Sequence, residues 1–117
     1  MKQDKNCLFC KIANKEIKAN IVFENDSLVA FTDINPQAPV HILIIPREHI
    51  PGLNEISEAN NELLGKIQIA AKELAKKNNI SRDGYRVVAN CGPNAGQAVD
   101  HIHYHLLGGR VFKWPPG

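Results

Sequence analysis

The stretch His101-Ile102-His103-Tyr104-His105-Leu106-Leu107 sets three imidazoles at alternate positions. In an extended strand alternate side chains share a face, so the three rings are expected to line up at intervals of roughly 7 Å. Ile102, Tyr104 and Leu106 then point the other way, toward a core. An apolar face of this kind needs no histidine opposite it. A solvated face or an incidental run is the bland account, yet each imidazole is poised near neutral pH as acid, base, nucleophile or ligand. Such a row can bind a metal or attack an electrophile. A neutral imidazole is nucleophilic at phosphorus, and its adduct can pass the group on to water.

Upstream, Gly92-Pro93-Asn94-Ala95-Gly96-Gln97 places two glycines where backbone N–H groups can approach an anion closely. Alone this is a turn. A few residues from the histidine row, it becomes a credible phosphate cradle. The second chemical pattern is Cys7-x-x-Cys10. Metal binding and redox chemistry are its candidates, and two small buried hydrophobes are the plain alternative. Composition narrows the classes. A chain of 117 residues has room for one domain, read as residues 1–117. The apolar fraction of 44% suits a packed core. Fourteen Lys and Arg against twelve Asp and Glu argue against a dedicated nucleic-acid binder and leave a small anionic ligand open. The polar start, Met1 to Asn6, leads into no long apolar run, so neither a signal peptide nor a membrane anchor is expected. A cytoplasmic location is then the default, where three cysteines are not expected to build a disulfide framework.

The elements that must carry these groups follow from periodicity. Cys7 to Asn14 is expected as a short helix, with Leu8, Phe9 and Ile12 sharing an apolar side. Ile21 to Glu24 and Leu28 to Asp33 read as strands joined by a tight turn through Asn25, Asp26 and Ser27. Asn35 to Pro39 is a loop, because two prolines suit neither helix nor central strand. His41 to Ile45 is a strand ended by Pro46. Ser57 is the expected N-cap of the one long helix, with Glu58 in its first turn and Lys76 and Lys77 in its last. Leu63, Leu64, Ile67, Ala70, Ala71 and Leu74 recur at helical spacing as its buried stripe. Tyr85 to Asn90 and Ile102 to Leu107 complete the strands. The order predicts an α+β fold with a mainly antiparallel sheet.

The alternating histidine pattern resembles the signature of the histidine triad (HIT) family, and the likeness runs over nearly the whole chain. Asp33-Ile34-Asn35-Pro36-Gln37-Ala38-Pro39 followed by His41 resembles that family's nucleoside-binding segment. Leu107-Gly108-Gly109-Arg110 and the end Trp114-Pro115-Pro116-Gly117 are similar to the Hint branch. The resemblance implies a HIT-like fold with a five-stranded sheet, one long helix and a short N-terminal helix, paired as a homodimer. It implies that His103 attacks the α-phosphorus and is transiently nucleotidylated. The other ring nitrogen of His103 must then donate to a carbonyl, leaving the attacking nitrogen unprotonated. His105 and His41 would flank the phosphate. Asn90, Gly96, Gln97 and Val99 fall where the family binds phosphate. Asp33 matches the acid that holds the ribose hydroxyls, and Phe9, Ile12, Phe31, Ile34 and Leu43 match an apolar slot for a purine.

By the same resemblance, Cys7, Cys10, His49 and His101 would hold a structural zinc, as in bacterial-type members; no catalytic metal or organic cofactor is implied. Cys91 has no partner in this scheme. The implied activity is hydrolysis of purine nucleoside phosphoramidates, releasing AMP or GMP, with no nucleic acid or membrane as partner. Dinucleoside polyphosphate hydrolysis is the nearest alternative. A nucleotide-binding regulatory protein with vestigial catalysis, or a zinc-dependent redox module centred on Cys7 and Cys10, comes from another class. One departure stands out. Ala98 occupies a position where Hint proteins commonly carry a serine that hydrogen-bonds the leaving group. Protonation of the leaving group must then come from elsewhere, or the preferred leaving group differs.

Overall fold

Alternation along the strands sorts the apolar residues onto two faces of one sheet. The computed structural model describes residues 1–117. Five strands, β1 (Ile21–Glu24), β2 (Leu28–Thr32), β3 (Val40–Pro46), β4 (Tyr85–Val88) and β5 (Tyr104–Gly108), form a sheet in the order β1-β2-β3-β5-β4. Every neighbouring pair is antiparallel. Leu28, Ala30, Ile42, Ile44, Tyr104 and Leu106 face one side and pack with Ile67, Ala70, Ala71, Leu74 and Ala75 of the long helix α2 (Asn61–Lys77). Val29, Phe31, Leu43 and Ile45 face the other side and pack with Phe9, Cys10, Ile12 and Ala13 of the short helix α1 (Leu8–Ala13). The fold is therefore α+β, as the sequence predicts. No helix is long and apolar enough to cross a membrane.

β5 enters the sheet between β3 and β4, so the histidine strand is hydrogen-bonded on both edges. Its register sets His105 between Leu43 and Val88. The ladder begins only at Tyr104, not at the expected Ile102, so His101 and His103 precede the strand. The reason lies in the neighbour: continuing the register would bring Ile102 opposite Pro46, which has no N–H to give. Ile102 donates instead to the carbonyl of Ile50 at 2.6 Å. Ile102 still lies in the helix-side cluster, and His101 and His103 are both buried.

Three further boundaries shift for local reasons. Leu8 is exposed, and α1 buries Phe9, Cys10, Ile12 and Ala13; Cys7 caps it, its Sγ accepting from the Cys10 N–H. Ser57 caps a single 3-10 turn (Glu58–Asn60) through a reciprocal capping box with Asn60, and α2 starts directly after it. Leu63 and Leu64 are only partly buried, while Ala75 joins the buried stripe. β4 stops at Val88, short of the expected Asn90. Between β1 and β2 the turn is closed by Asn25, whose Oδ1 accepts from the Ser27 and Leu28 N–H groups at 2.8 Å.

Gly108 closes β5 where a Cβ would lie 2.5 Å from Ile80 Cδ1. Gly108→Ala should lower the unfolding free energy by about 1–3 kcal/mol through overpacking. Gly65, in the middle of α2, has nothing within 4 Å of a Cβ position. Gly65→Ala should raise stability by about 0.5–1 kcal/mol. Urea unfolding of both variants checks the pair; a harmless Gly108→Ala would contradict the close contact.

Candidate active site

Two clusters of chemistry-bearing side chains meet on the α1 side of the sheet. The first comprises His103, His105, His41 and Asp33. His103 is buried, its ring nearly perpendicular to that of Phe9 with the centroids 5.1 Å apart, and its centroid lies 5.0 Å from that of His105. Its Nδ1–H donates to the His101 carbonyl at 2.7 Å, which leaves Nε2 as a free lone pair. His41 Nδ1 accepts from the Gln37 backbone N–H at 3.0 Å, so the proton of neutral His41 sits on Nε2. That Nε2–H donates to His105 Nδ1 at 2.9 Å, with Asp33 Oδ2 at 3.5 Å. His105 in turn must carry its proton on Nε2. The hydrogen-bond network thus assigns one tautomer to each ring: His103 Nε2 is a lone pair, and His105 Nε2 is a donor.

Charge follows burial. Desolvation pushes His105 down to about 4, the nearby His103 and His41 push the same way, and Asp33 opposes them. Burial also lowers His41, against the pull of Asp33. A second proton on His41 would point at the Gln37 N–H, donor against donor. These rings are therefore neutral donors and acceptors at neutral pH.

Around them the expected binding residues fall into distinct places. Phe9, Ile12, Phe31 and Leu43 form one packed cluster with Val99 against it, whereas Ile34 stands fully exposed. Asp33 holds the following loop through a 2.8 Å hydrogen bond from the Asn35 N–H to Oδ1. The loop after β4 folds into a 3-10 turn (Pro93–Ala95), with Gly92 and Gly96 at positive φ and Asn90 half-buried before it. Gln97 braces this loop. Its Oε1 accepts from the Gly92 N–H at 3.0 Å, and its Nε2 donates to the carbonyls of Pro51 and Val99. The Gly96 and Gln97 N–H groups are used inside the turn.

The second cluster brings Cys7, Cys10, His49 and His101 together, their ligand atoms all within 4.8 Å of one another. Cys7 Sγ lies 3.4 Å from His101 Nδ1, and Cys10 Sγ lies 3.5 Å from His49 Nδ1 and 3.6 Å from His101 Nδ1. The two Nδ1 atoms are 3.3 Å apart. A tetrahedral zinc with Zn–S near 2.3 Å and Zn–N near 2.0–2.1 Å has ligand–ligand edges of roughly 3.3–3.8 Å, so the donor set fits. His101 Nε2–H donates to the Pro46 carbonyl at 2.8 Å, turning the Nδ1 lone pair toward the thiols. Burial lowers His101 to about 4, with the Pro46 carbonyl opposing, which keeps that lone pair available. Burial also raises the Cys10 thiol, so a thiolate there calls for a cation.

The backbone partners in these networks, the His101 and Pro46 carbonyls and the Gln37 N–H, are not legible in a sequence pattern. Any residue type can supply them, and only the fold places them.

Residues 14–112 match the family described as HIT domain. The chain belongs to the histidine triad family. It is 50% identical over 116 residues to a 14 kDa zinc-binding protein of Zea mays, covering 97% of this chain and 90% of the relative. It is 47% identical over 116 residues to adenylylsulfatase HINT1 of Arabidopsis thaliana, covering 97% and 78%. A crystal structure of a HIT family hydrolase from Legionella pneumophila superimposes with a TM-score of 0.95 at 54% identity, over 96% of this chain and 100% of that one.

The depressed histidines carry a pH dependence whose sign is fixed. Between their ordinary value of 6.5 and about 4 the unfolded chain binds protons that the folded protein resists. Their contribution is present above about 6.5 and is lost as pH falls toward about 4. The melting temperature should therefore drop across that interval, and less steeply in His105→Asn at equal metal content. Identical pH slopes for the two proteins would contradict the burial of His105.

Proposed function

We infer that this HIT protein hydrolyses purine nucleoside phosphoramidates through a nucleotidyl-His103 intermediate, releasing the nucleoside monophosphate. The observation that carries the reading is the Nδ1–H hydrogen bond from His103 to the His101 carbonyl, which presents Nε2 as an unprotonated nucleophile. In the first step the Nε2 lone pair bonds to the α-phosphorus and the P–N bond breaks, the amine leaving with a proton taken from solvent. In the second, water attacks phosphorus, the P–Nε2 bond breaks, and His103 is restored as AMP or GMP departs. His105 donates Nε2–H to a phosphate oxygen as its charge develops, and His41 holds His105 in that state. Asn90, Val99 and the Gly96–Gln97 loop frame the phosphate. Asp33 takes the ribose hydroxyls, and the base lies against the Phe9, Ile12, Phe31 and Leu43 cluster, covering the exposed Ile34. Two copies pair as a homodimer in the cytoplasm.

Cys7, Cys10, His49 and His101 hold zinc with four protein ligands, a closed structural set. Zinc supplies folding free energy there, and His101 joins its coordination to the carbonyl that orients His103. Structural zinc binds with free energies of order 10 kcal/mol, comparable with the whole stability of a small domain. Purified protein should contain one zinc per chain, and Cys10→Ser should lose it with a melting temperature lower by more than about 10 °C. Metal analysis and calorimetry check both, and full stability without stoichiometric zinc would contradict the role.

Ala98 favours a second reading of the leaving group. It offers no hydroxyl to a departing amine, whereas a sulfate leaves as a weakly basic anion that needs no proton. The Arabidopsis thaliana relative bears the name adenylylsulfatase. Adenylyl sulfate is thus the second substrate to test beside adenosine phosphoramidate. AMP release from both should fall at least about 1000-fold in His103→Ala. Ala98→Ser should speed the phosphoramidate and leave hydrolysis of adenylyl sulfate, a phosphoric–sulfuric anhydride, unchanged. An active His103→Ala enzyme would sink the mechanism, and equal gains on both substrates would sink the role given to position 98.

A further inference from the structure

The segment that follows β5 returns to the loop that orients His41. Arg110 Nε–H donates to the Gln37 carbonyl at 2.9 Å, and the Arg110 guanidinium lies 4.3 Å over the Phe112 ring. Gly109 makes the approach possible. Its φ is +92°, and a Cβ there would sit 2.9 Å from Pro39 Cβ. Gln37 is held on its other side by its own Nε2–H, which donates to the Asn35 carbonyl at 3.0 Å. The residue gripped in this way is the one whose N–H occupies His41 Nδ1.

We propose that Arg110 is a positioning residue that fixes the proton tautomer of His105 through Gln37 and His41. The chain of donors and acceptors is continuous. Arg110 Nε–H anchors the Gln37 carbonyl; the Gln37 N–H fills His41 Nδ1; His41 Nε2–H fills His105 Nδ1; His105 Nε2–H is left to face the phosphate. Each link has one polarity, because a guanidinium and a peptide N–H can only donate. If Gln37 moves, His41 Nδ1 loses its donor, only the Asp33 carboxylate 3.5 Å from Nε2 still favours the Nε2–H tautomer, and the preference weakens. The His41 minor tautomer presents a lone pair at Nε2, which drives the His105 proton onto Nδ1 and removes the donor from the phosphate. No carboxylate pairs with Arg110, and its charge-assisted hydrogen bond goes to a neutral carbonyl. Arg110 touches no reacting atom in this account.

The inference rests on His103 as nucleophile and His105 as phosphate donor, and its test has a readout that needs no turnover. Nitrogen-15 NMR of the zinc-loaded full chain distinguishes protonated from unprotonated ring nitrogens. The native protein should show Nδ1 unprotonated and Nε2 protonated in both His41 and His105. Arg110 is exposed, so Arg110→Ala should fold. In it both rings should shift to mixed tautomers, and kcat for adenosine phosphoramidate should fall about tenfold with KM within twofold. Phe112→Leu, which removes the ring beneath the guanidinium, should move both readouts in the same direction by less. Unchanged tautomers in the folded variants, whatever the rate, would overturn the proposal. So would mixed tautomers with an unchanged kcat. Failure of the underlying reading appears separately, as an active His103→Ala enzyme.

Discussion

His103 can act as a nucleophile only while its proton stays on Nδ1, and the 2.7 Å hydrogen bond to the His101 carbonyl keeps it there. Much of the surrounding structure fixes that carbonyl. The His101 ring is tied through Nε2 to the Pro46 carbonyl and through Nδ1 to the Cys7, Cys10 and His49 cluster. Its neighbour Ile102 is tied to Ile50 and buried against the α2 side of the sheet. One residue therefore belongs to both clusters: its side chain to the metal-type donor set, its main chain to the nucleophile. A break in the first is transmitted to the second through a single peptide group.

The five histidines are chemically alike in the sequence and distinct in the fold. What separates them is the partner of one ring nitrogen, a carbonyl for His103 and His101, a peptide N–H for His41, another imidazole for His105 and the Cys10 sulfur for His49. Acceptors fix protons and donors fix lone pairs, so the backbone decides which ring attacks and which ring donates. Burial reinforces the assignment by disfavouring a second proton on His41, His101 and His105. A neutral site suits phosphoryl chemistry here, because a protonated nucleophile has no lone pair to use.

The period-two pattern was enough to read the two faces of the sheet, since Ile102, Tyr104 and Leu106 and the histidines between them cannot share a side. It was not enough to read where hydrogen bonding begins. The missing N–H of Pro46, at the end of β3 and two strands before the histidine strand, ends the ladder at Tyr104. Leu8 shows a similar limit: its type suits a core, but the turn of α1 directs Phe9 and Cys10 inward and leaves it outside. The spacing of Cys7 and Cys10 marks a metal or redox pair, but only the family resemblance joins His49 and His101 to it, and the assembly of the four depends on α1 packing below the end of β3. The grip of Arg110 on Gln37 had no such signal, because it runs through a carbonyl that every residue possesses.

The most direct measurement is to locate the covalent bond. The protein is mixed with adenosine phosphoramidate, quenched within milliseconds, digested and mapped by mass spectrometry, with phosphorus–nitrogen coupling used to identify the ring atom. The account predicts one adenylate per active site, on Nε2 of His103. An adenylate on His105 or His41, or AMP formed with no adduct at any time point, would contradict it.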